Sequence, residues 1–232
     1  MRKTKANEDK LLDVFESIKK KTGQSSFEAW QSFVYVIGYT LAVASGNDCI
    51  KIKKTFEMAF YVVKEAREEF CALENALIQS ITDNKFQDAM GGLYMRLGIG
   101  NEAGGQFFTP FHLSRLMAKI DLDNDAVWKT ILEKGYVSVS EPSCGSGGNV
   151  IAFCNACHDT GIDYQQYVYF ECQEISEMTA LMCFIQLSLM GIAAQIIVGD
   201  TLKREQRLIL KTPVLTMDPV WRFRMIRRVS DE

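Results

Sequence analysis

Residues 137–149 read Val137-Ser-Val-Ser-Glu141-Pro142-Ser143-Cys144-Gly145-Ser146-Gly147-Gly148-Asn149. An alternating β-branched run passes into three glycines within four residues, and an apolar helical pattern, Asn149 to Asp159, follows. Glycine lets a backbone turn sharply and approach a ligand with no Cβ in between. The helix behind such a turn presents unpaired amides to a carboxylate or a phosphate. Strand, glycine turn and helix in this order predict an α/β fold with a site for a nucleotide, a dinucleotide or S-adenosylmethionine. Taken alone, the pattern also fits a purely structural turn.

The stretch downstream narrows the choice. Tyr167 to Phe170 reads as a strand ending at Glu171-Cys172-Gln173-Glu174, and Ile175 to Met190 reads as a helix. Gln195 to Val198 is strand-like and ends at Gly199-Asp200-Thr201-Leu202, and Val214 to Met217 is a last strand candidate. Strands alternating with helices across short turns predict an open parallel sheet. A carboxylate at a strand end takes paired ribose hydroxyls in nucleotide-type sites, a role open to an acid of this strand end. Asp200, one strand on, is placed to accept from an adenine amine. A single acid at a strand end is more often a helix cap. Glycine turn, Glu and Asp at three successive strand ends point instead to a ligand.

Upstream of residue 100 every strong pattern is helical. Leu11, Val14, Phe15 and Ile18 form one stripe, and Ser25 with Glu28 forms a capping box ahead of Phe27, Trp30, Phe33, Val34, Ile37 and Leu41. A third helix is predicted from Lys53 to Ile81. After the Gly-rich connector at 98–105, Gln106-Phe107-Phe108-Thr109-Pro110 leads into a helix with Leu113, Leu116, Met117 and Ile120 expected to face inward. The chain thus divides into a helical domain, residues 1–100, and an α/β domain, residues 101–232.

Composition bounds the function. In 232 residues, 26 Lys and Arg face 29 Asp and Glu, so no global positive field marks the chain as a nucleic-acid binder, and any basic surface is local. No apolar signal region opens the sequence, and no apolar stretch approaches the ~20 residues of a membrane span. A cytoplasmic protein without membrane contact is expected, its seven scattered cysteines reduced.

The series Gly105-Gln106-Phe107-Phe108-Thr109-Pro110, Glu141-Pro-Ser-Cys-Gly-Ser-Gly-Gly148, Gln173-Glu174-Ile175 and Gly199-Asp200-Thr201-Leu202 resembles the adenine-specific (N6) DNA methyltransferases. It is similar in particular to the modification (M) subunits of type I restriction–modification systems, which carry a helical domain ahead of the methyltransferase domain. The resemblance covers about residues 86–202. It implies a Rossmann-like S-adenosylmethionine-dependent methyltransferase sheet and DNA as substrate, with a specificity or restriction subunit as partner. Gln106, Phe107, Phe108, Thr109 and Pro110 would border the methionine and adenine ends of the cofactor. The turn Glu141, Ser143, Cys144, Gly145, Ser146, Gly147 and Gly148 would cradle its methionine moiety, with Glu174 on the ribose and Asp200 on the adenine.

These enzymes carry an Asn/Asp-Pro-Pro-aromatic loop after the fourth strand, whose oxygens hold the target amine while the ring stacks on the extruded base. Asp218-Pro219-Val220-Trp221 is the counterpart, which makes Asp218, Pro219 and Trp221 the expected catalytic residues. Val220 stands where the family has a second proline. An ordinary turn with a packed Trp competes evenly with this reading. The chain stops eleven residues after Trp221, so the sheet is expected to be truncated after its fourth strand, its edge covered by a partner or by the N-terminal helices, or the protein to be a decayed relative.

Other motifs carry less. Cys154-Asn-Ala-Cys157-His158 matches a haem-attachment pattern, but it falls on the helix behind the glycine turn, where Cys is an ordinary small core residue. A zinc site there lacks a fourth ligand, so no metal is expected. Two histidines leave little for Ser-His-acid chemistry, and the turn lacks the Gly-Lys-Ser/Thr of a P-loop. The spacing of the glycines also departs from the Gly-x-Gly-x-x-Gly of dinucleotide oxidoreductases. The competing functional reading is a catalytically degenerate methyltransferase fold acting as a DNA-binding or assembly factor.

Overall fold

The capping box and the helical stripes build the N-terminal half. In a computed structural model that describes residues 2–47, 64–102 and 108–231, α1 spans Arg2–Thr22 and α2 spans Ser26–Ala44. The Ser25 hydroxyl accepts from the Glu28 amide at 3.2 Å, and the Glu28 carboxylate takes the Ser25 amide at 2.9 Å, so two orphan donors of the α2 terminus are satisfied reciprocally. A 3₁₀ turn at Lys64–Ala66 leads into α3, Arg67–Asp83, followed by α4, Ala89–Arg96, and α5, Ile99–Glu102. The beginning of the third helix as expected, residues 53–63, lies outside the described residues. Phe15, Trp30, Phe33, Phe70 and Tyr94 are all buried and meet ring to ring at about 6 Å. Tyr94 in turn meets Phe108 at 5.3 Å, so a chain of aromatic rings runs from the helices to the strand ends.

The expectation for the helix after Pro110 is overturned. In α6, Phe111–Asp121, the residues Leu113, Leu116, Met117 and Ile120 are exposed, while Ser114 and Ala118 are buried. The small face wins because α6 lies against α8, Gly148–Asp159, through Ala118, Ala152 and Ala156. Side chains of this size let two helices approach closely, which a Leu and Ile stripe does not permit.

Between them runs α7, Asn124–Lys134, which closes on Gly135 in the left-handed conformation. The sheet then follows the predicted alternation. β1, Val137–Glu141, precedes α8; a one-turn α9, Tyr164–Tyr167, leads to β2, Val168–Glu174; α10, Glu177–Leu189, leads to β3, Ala193–Val198. These three strands are parallel in the order β1-β2-β3, with Val137 opposite Val168 and Tyr169 opposite Ala193. A parallel register carries all three strand ends, and the turns that follow them, to one edge of the sheet.

The fourth strand is not where its sequence pattern placed it. Leu208–Lys211 forms β4, antiparallel to β3 with Ile196 opposite Leu210. Val214–Met217, expected as a strand, lies in the short helix α11, Pro213–Met217, and the last helix, α12, runs Pro219–Asp231. The Thr212 hydroxyl receives the Ala194 amide at 3.0 Å and donates to the Ile192 carbonyl at 2.7 Å, which ends the pairing. Pro213 then occupies the first turn of a helix, where its missing N–H has no cost. The result is an α/β, Rossmann-like sheet of four strands among the described residues, in the order β1-β2-β3-β4, preceded by helices.

The two halves share one core. Buried residues of α1 to α4 and of the sheet with its helices belong to a single continuous apolar cluster. α2 packs on α10 so closely that a Cβ at Gly38 would stand 2.8 Å from Leu181 Cδ2.

Candidate functional site

A cavity of about 320 Å³ opens at the carboxyl edge of the parallel strands, above the turn that joins β1 to α8. Its size is that of a small-molecule site. Gly145 and Gly147 take left-handed φ values of 54° and 98°. A Cβ on Gly147 would press against Cys183 Sγ at 3.1 Å, and one on Gly145 would press against the Phe108 ring at 3.1 Å. The glycines therefore answer both to backbone conformation and to close approach.

The expected cofactor residues divide into three groups. Phe108, Thr109, Ser143, Cys144, Gly145, Ser146, Gly148 and Glu174 line the cavity. Pro110, Glu141, Gly147 and Asp200 do not. Gln106 and Phe107 lie outside the described residues. Glu174, at the end of β2, spreads its carboxylate over two backbone amides, Gly145 at 3.1 Å and Ser176 at 2.9 Å. It thereby ties the glycine turn to the start of α10. Glu141 accepts from the Ser143 amide at 3.3 Å and from Asn149 Nδ2 at 3.2 Å, and faces the neighbouring cavity beside Met117 and Phe153. Asp200 caps the turn after β3, accepting from the Leu202 amide at 2.9 Å and pairing with Lys203 at 3.2 Å; the Lys203 hydrogen bond holds its carboxyl below the usual range. Thr201 beside it donates to the Pro142 carbonyl at 2.6 Å and so fastens the end of β3 to the glycine turn.

Residues that motif reading passed over complete the lining: Asp88, Ser114, Asn149 and Thr179. Asp88 precedes α4 and comes from the helical half of the chain. Its carboxylate accepts from the Gly91 amide at 2.8 Å, from Ser146 Oγ at 2.6 Å and from Gln186 Nε2 at 2.9 Å. Gln186 is fully buried in α10, where its amide also donates to the Ser146 carbonyl at 2.8 Å and accepts from the Met90 amide at 3.0 Å. One signal for this network was visible: Gln186 is a lone amide inside the apolar run Ala180 to Leu187. A buried amide there requires partners.

Two lining residues carry a buried polar atom, Ser114 Oγ and Asn149 Oδ1, with no hydrogen-bond partner among the described residues. Two carboxylates, Asp88 and Glu174, face the cavity, and among the described residues no Lys or Arg lines it. Behind the turn, mutual hydrogen bonds lower the Cys172 thiol and raise that of Cys183.

The expected catalytic residues stand elsewhere. Asp218 caps α12, its Oδ1 taking the Val220 amide at 2.8 Å and the Trp221 amide at 3.0 Å. Trp221 is 2% exposed, donates from Nε1 to the Gln165 carbonyl at 2.9 Å, and packs with Tyr169, Ala193 and Leu215 and edge-on to Tyr136. Tyr136, Tyr169 and Ala193 sit at the amino ends of the strands. From Tyr169 to Glu174 β2 spans about 16 Å at ~3.3 Å per residue. The structure therefore puts Asp218, Pro219 and Trp221 at the opposite edge of the sheet from the glycine turn, and α12 runs from there over β2, where Arg228 pairs with Glu171 at 3.6 Å.

Comparison with known proteins gives one family. The sequence model of the N-6 DNA Methylase family matches residues 98–221, about half of the chain. No curated protein matches it. Among solved structures, one described as a class I S-adenosylmethionine-dependent methyltransferase of Listeria monocytogenes shares 14% identity at a TM-score of 0.47, over 88% of this chain and 56% of that one. The methyltransferase subunit of a type I restriction–modification system from Streptococcus thermophilus shares 14% identity at a TM-score of 0.44, over 93% of this chain and 61% of that one. The chain spans less than two thirds of either protein.

Proposed function

The chain belongs to the N-6 DNA methylase family, and on that premise we propose that it binds S-adenosylmethionine at the 143–148 turn and serves methyl transfer to the exocyclic N6 amine of adenine in DNA. The observation that carries the reading is the charge of the cavity. Asp88 and Glu174 favour a sulfonium and an ammonium group, and repel the phosphates of a dinucleotide or a nucleoside triphosphate.

When bound, the cofactor supplies a methyl group already activated by its positive sulfur. The chain's own residues then bind and orient. Glu174 takes the ribose hydroxyls without releasing the turn, because each carboxylate oxygen accepts more than one hydrogen bond. Phe108 and Thr109 close one wall, with Gln106, Phe107 and Pro110 assigned to the same string. The family's acceptor motif, as Asp218, Pro219 and Trp221, faces away from this wall. The reading therefore assigns the holding of the target amine to a further polypeptide, a specificity or restriction subunit of a type I assembly, bound together with DNA.

Calorimetric titration of the folded protein with S-adenosylmethionine tests this. Saturable binding is expected, weakened at least ~10-fold by Glu174→Ala, since a hydrogen bond to a charged group contributes about 1.5–3 kcal/mol. Asp200→Ala, outside the lining, has the smaller effect. A folded protein that does not bind overturns the enzyme reading in favour of a methyltransferase-fold DNA-binding or assembly factor. Where binding holds, methylation of DNA with and without the partner subunit measures what the chain does alone.

A further inference from the structure

Three cysteines from three different elements converge beneath the glycine turn. Cys144 belongs to the turn, Cys172 to β2 and Cys183 to α10. All three are buried, and their sulfur atoms lie within 4.8 Å of one another. Cys154 and Cys157 are buried just as fully in α8 but join no such group, so burial by itself does not account for the convergence. Main-chain pairing fixes it instead. The Cys144 amide donates to the Gln173 carbonyl at 2.9 Å, which carries the turn alongside the end of β2, and the missing Cβ of Gly147 leaves room for Cys183 Sγ.

Three sulfurs facing one another in a dry interior form a soft donor set. Thiolates select soft or borderline metals. Zinc completes a tetrahedron with a fourth protein ligand or water, and among the described residues no His, Asp or Glu joins the three at this spacing. A monovalent soft ion, content with three sulfurs, matches the count, and with all three thiols deprotonated the loaded site carries a net negative charge. We propose that Cys144, Cys172 and Cys183 form a three-coordinate, all-sulfur site for one Cu(I) ion. Each Cu–S bond replaces an S–H bond, and the proton leaves to buffer; no electron is transferred. Because Cys144 also lines the cavity, the ion would clamp the glycine turn to β2 and α10 from below.

The test uses the whole chain, reduced and free of oxygen, with Cu(I) offered as its bathocuproine disulfonate complex. One equivalent is expected to leave the chelator for the protein. X-ray absorption at the copper edge is expected to show three sulfur neighbours and no nitrogen or oxygen. The thermal midpoint should rise on loading, as ligand binding to the folded state requires. The double variant Cys172→Ser, Cys183→Ser should lose the equivalent and the thermal shift, while Cys71→Ser and Cys157→Ala keep both. Three results overturn the site: no copper taken by the folded wild type, nitrogen or oxygen neighbours in its spectrum, or copper retained by the double variant. If that variant fails to fold, the wild-type spectrum alone decides.

Discussion

The two edges of the sheet hold similar kinds of residue and use them differently. At the carboxyl edge Glu174 and Asp88 are held by backbone amides and a buried glutamine, yet still line a cavity. At the amino edge three polar groups serve the fold. Trp221 gives its indole N–H to Gln165, Asp218 caps α12, and Arg224 donates to the Gln166 carbonyl while its guanidinium covers the Trp221 ring. The carboxyl edge keeps its two acids on a cavity, while at the amino edge Asp218 and Trp221 hold the fold together beside an open cavity of about 560 Å³. An acid, a proline and an aromatic in the right order thus give no function by themselves, because the direction of the preceding segment decides which edge they reach.

Substitutions at the two edges should separate stability from binding. Trp221→Ala should be the most destabilising change, by about 3–5 kcal/mol as for other buried Trp truncations, with cofactor affinity of the folded fraction unchanged. Denaturant unfolding and calorimetry together check this, and a loss of affinity at preserved stability would break the distinction between the edges. Alkali should act next. Burial pushes the Tyr169 hydroxyl from 10 up to about 12, so the unfolded chain loses this proton first. The stability it contributes is complete below pH 10 and is lost as pH rises to about 12, by at most ~2–3 kcal/mol. Thermal midpoints of wild type and Tyr169→Phe across pH 9 to 12 should converge differently if this is right.

At the carboxyl edge, Gln186→Ala strands Asp88, the Met90 amide and the Ser146 carbonyl. It should cost about 1–3 kcal/mol and also weaken the cofactor, a joint effect absent from Trp221→Ala. The smallest change is Asp218→Ala, which removes a helix cap and should cost about 1 kcal/mol with no effect on cofactor binding. A large loss of methyl transfer in Asp218→Ala with intact binding would return that residue to the chemistry.

Much of this was legible in the sequence. β1, the glycine turn and α8 follow from local rules, since glycines beside a β-branched run and an apolar helix leave one economical path. The ends of β2 and β3 fall where the acids marked them, and the Ser25 cap is as expected. The failures have a common cause. In α6 the sequence pattern predicts that the larger apolar stripe is buried, but the spacing between two helices is decided by the partner, and Ala152 and Ala156 favour the small face. In Val214–Met217 apolar composition suggested a strand, whereas Pro213 and the Thr212 hydroxyl set the conformation. Asp88 joined the cavity from about 60 residues away, a pairing through tertiary contacts that no local motif carries.

The tight seat of α2 on α10 also has a consequence in time. Gly38 emerges from the ribosome about 140 residues before Leu181, its contact, which at ~5–20 residues per second is roughly 7–30 s. During that interval Trp30, Phe33 and Val34 can cover one another and α1, but the α10 side of α2 waits for a helix not yet made. The nascent chain therefore carries a sticky apolar surface until α10 is made, and its yield in cells should depend on holding factors and on the pace of translation between the codons for Gly38 and Leu181.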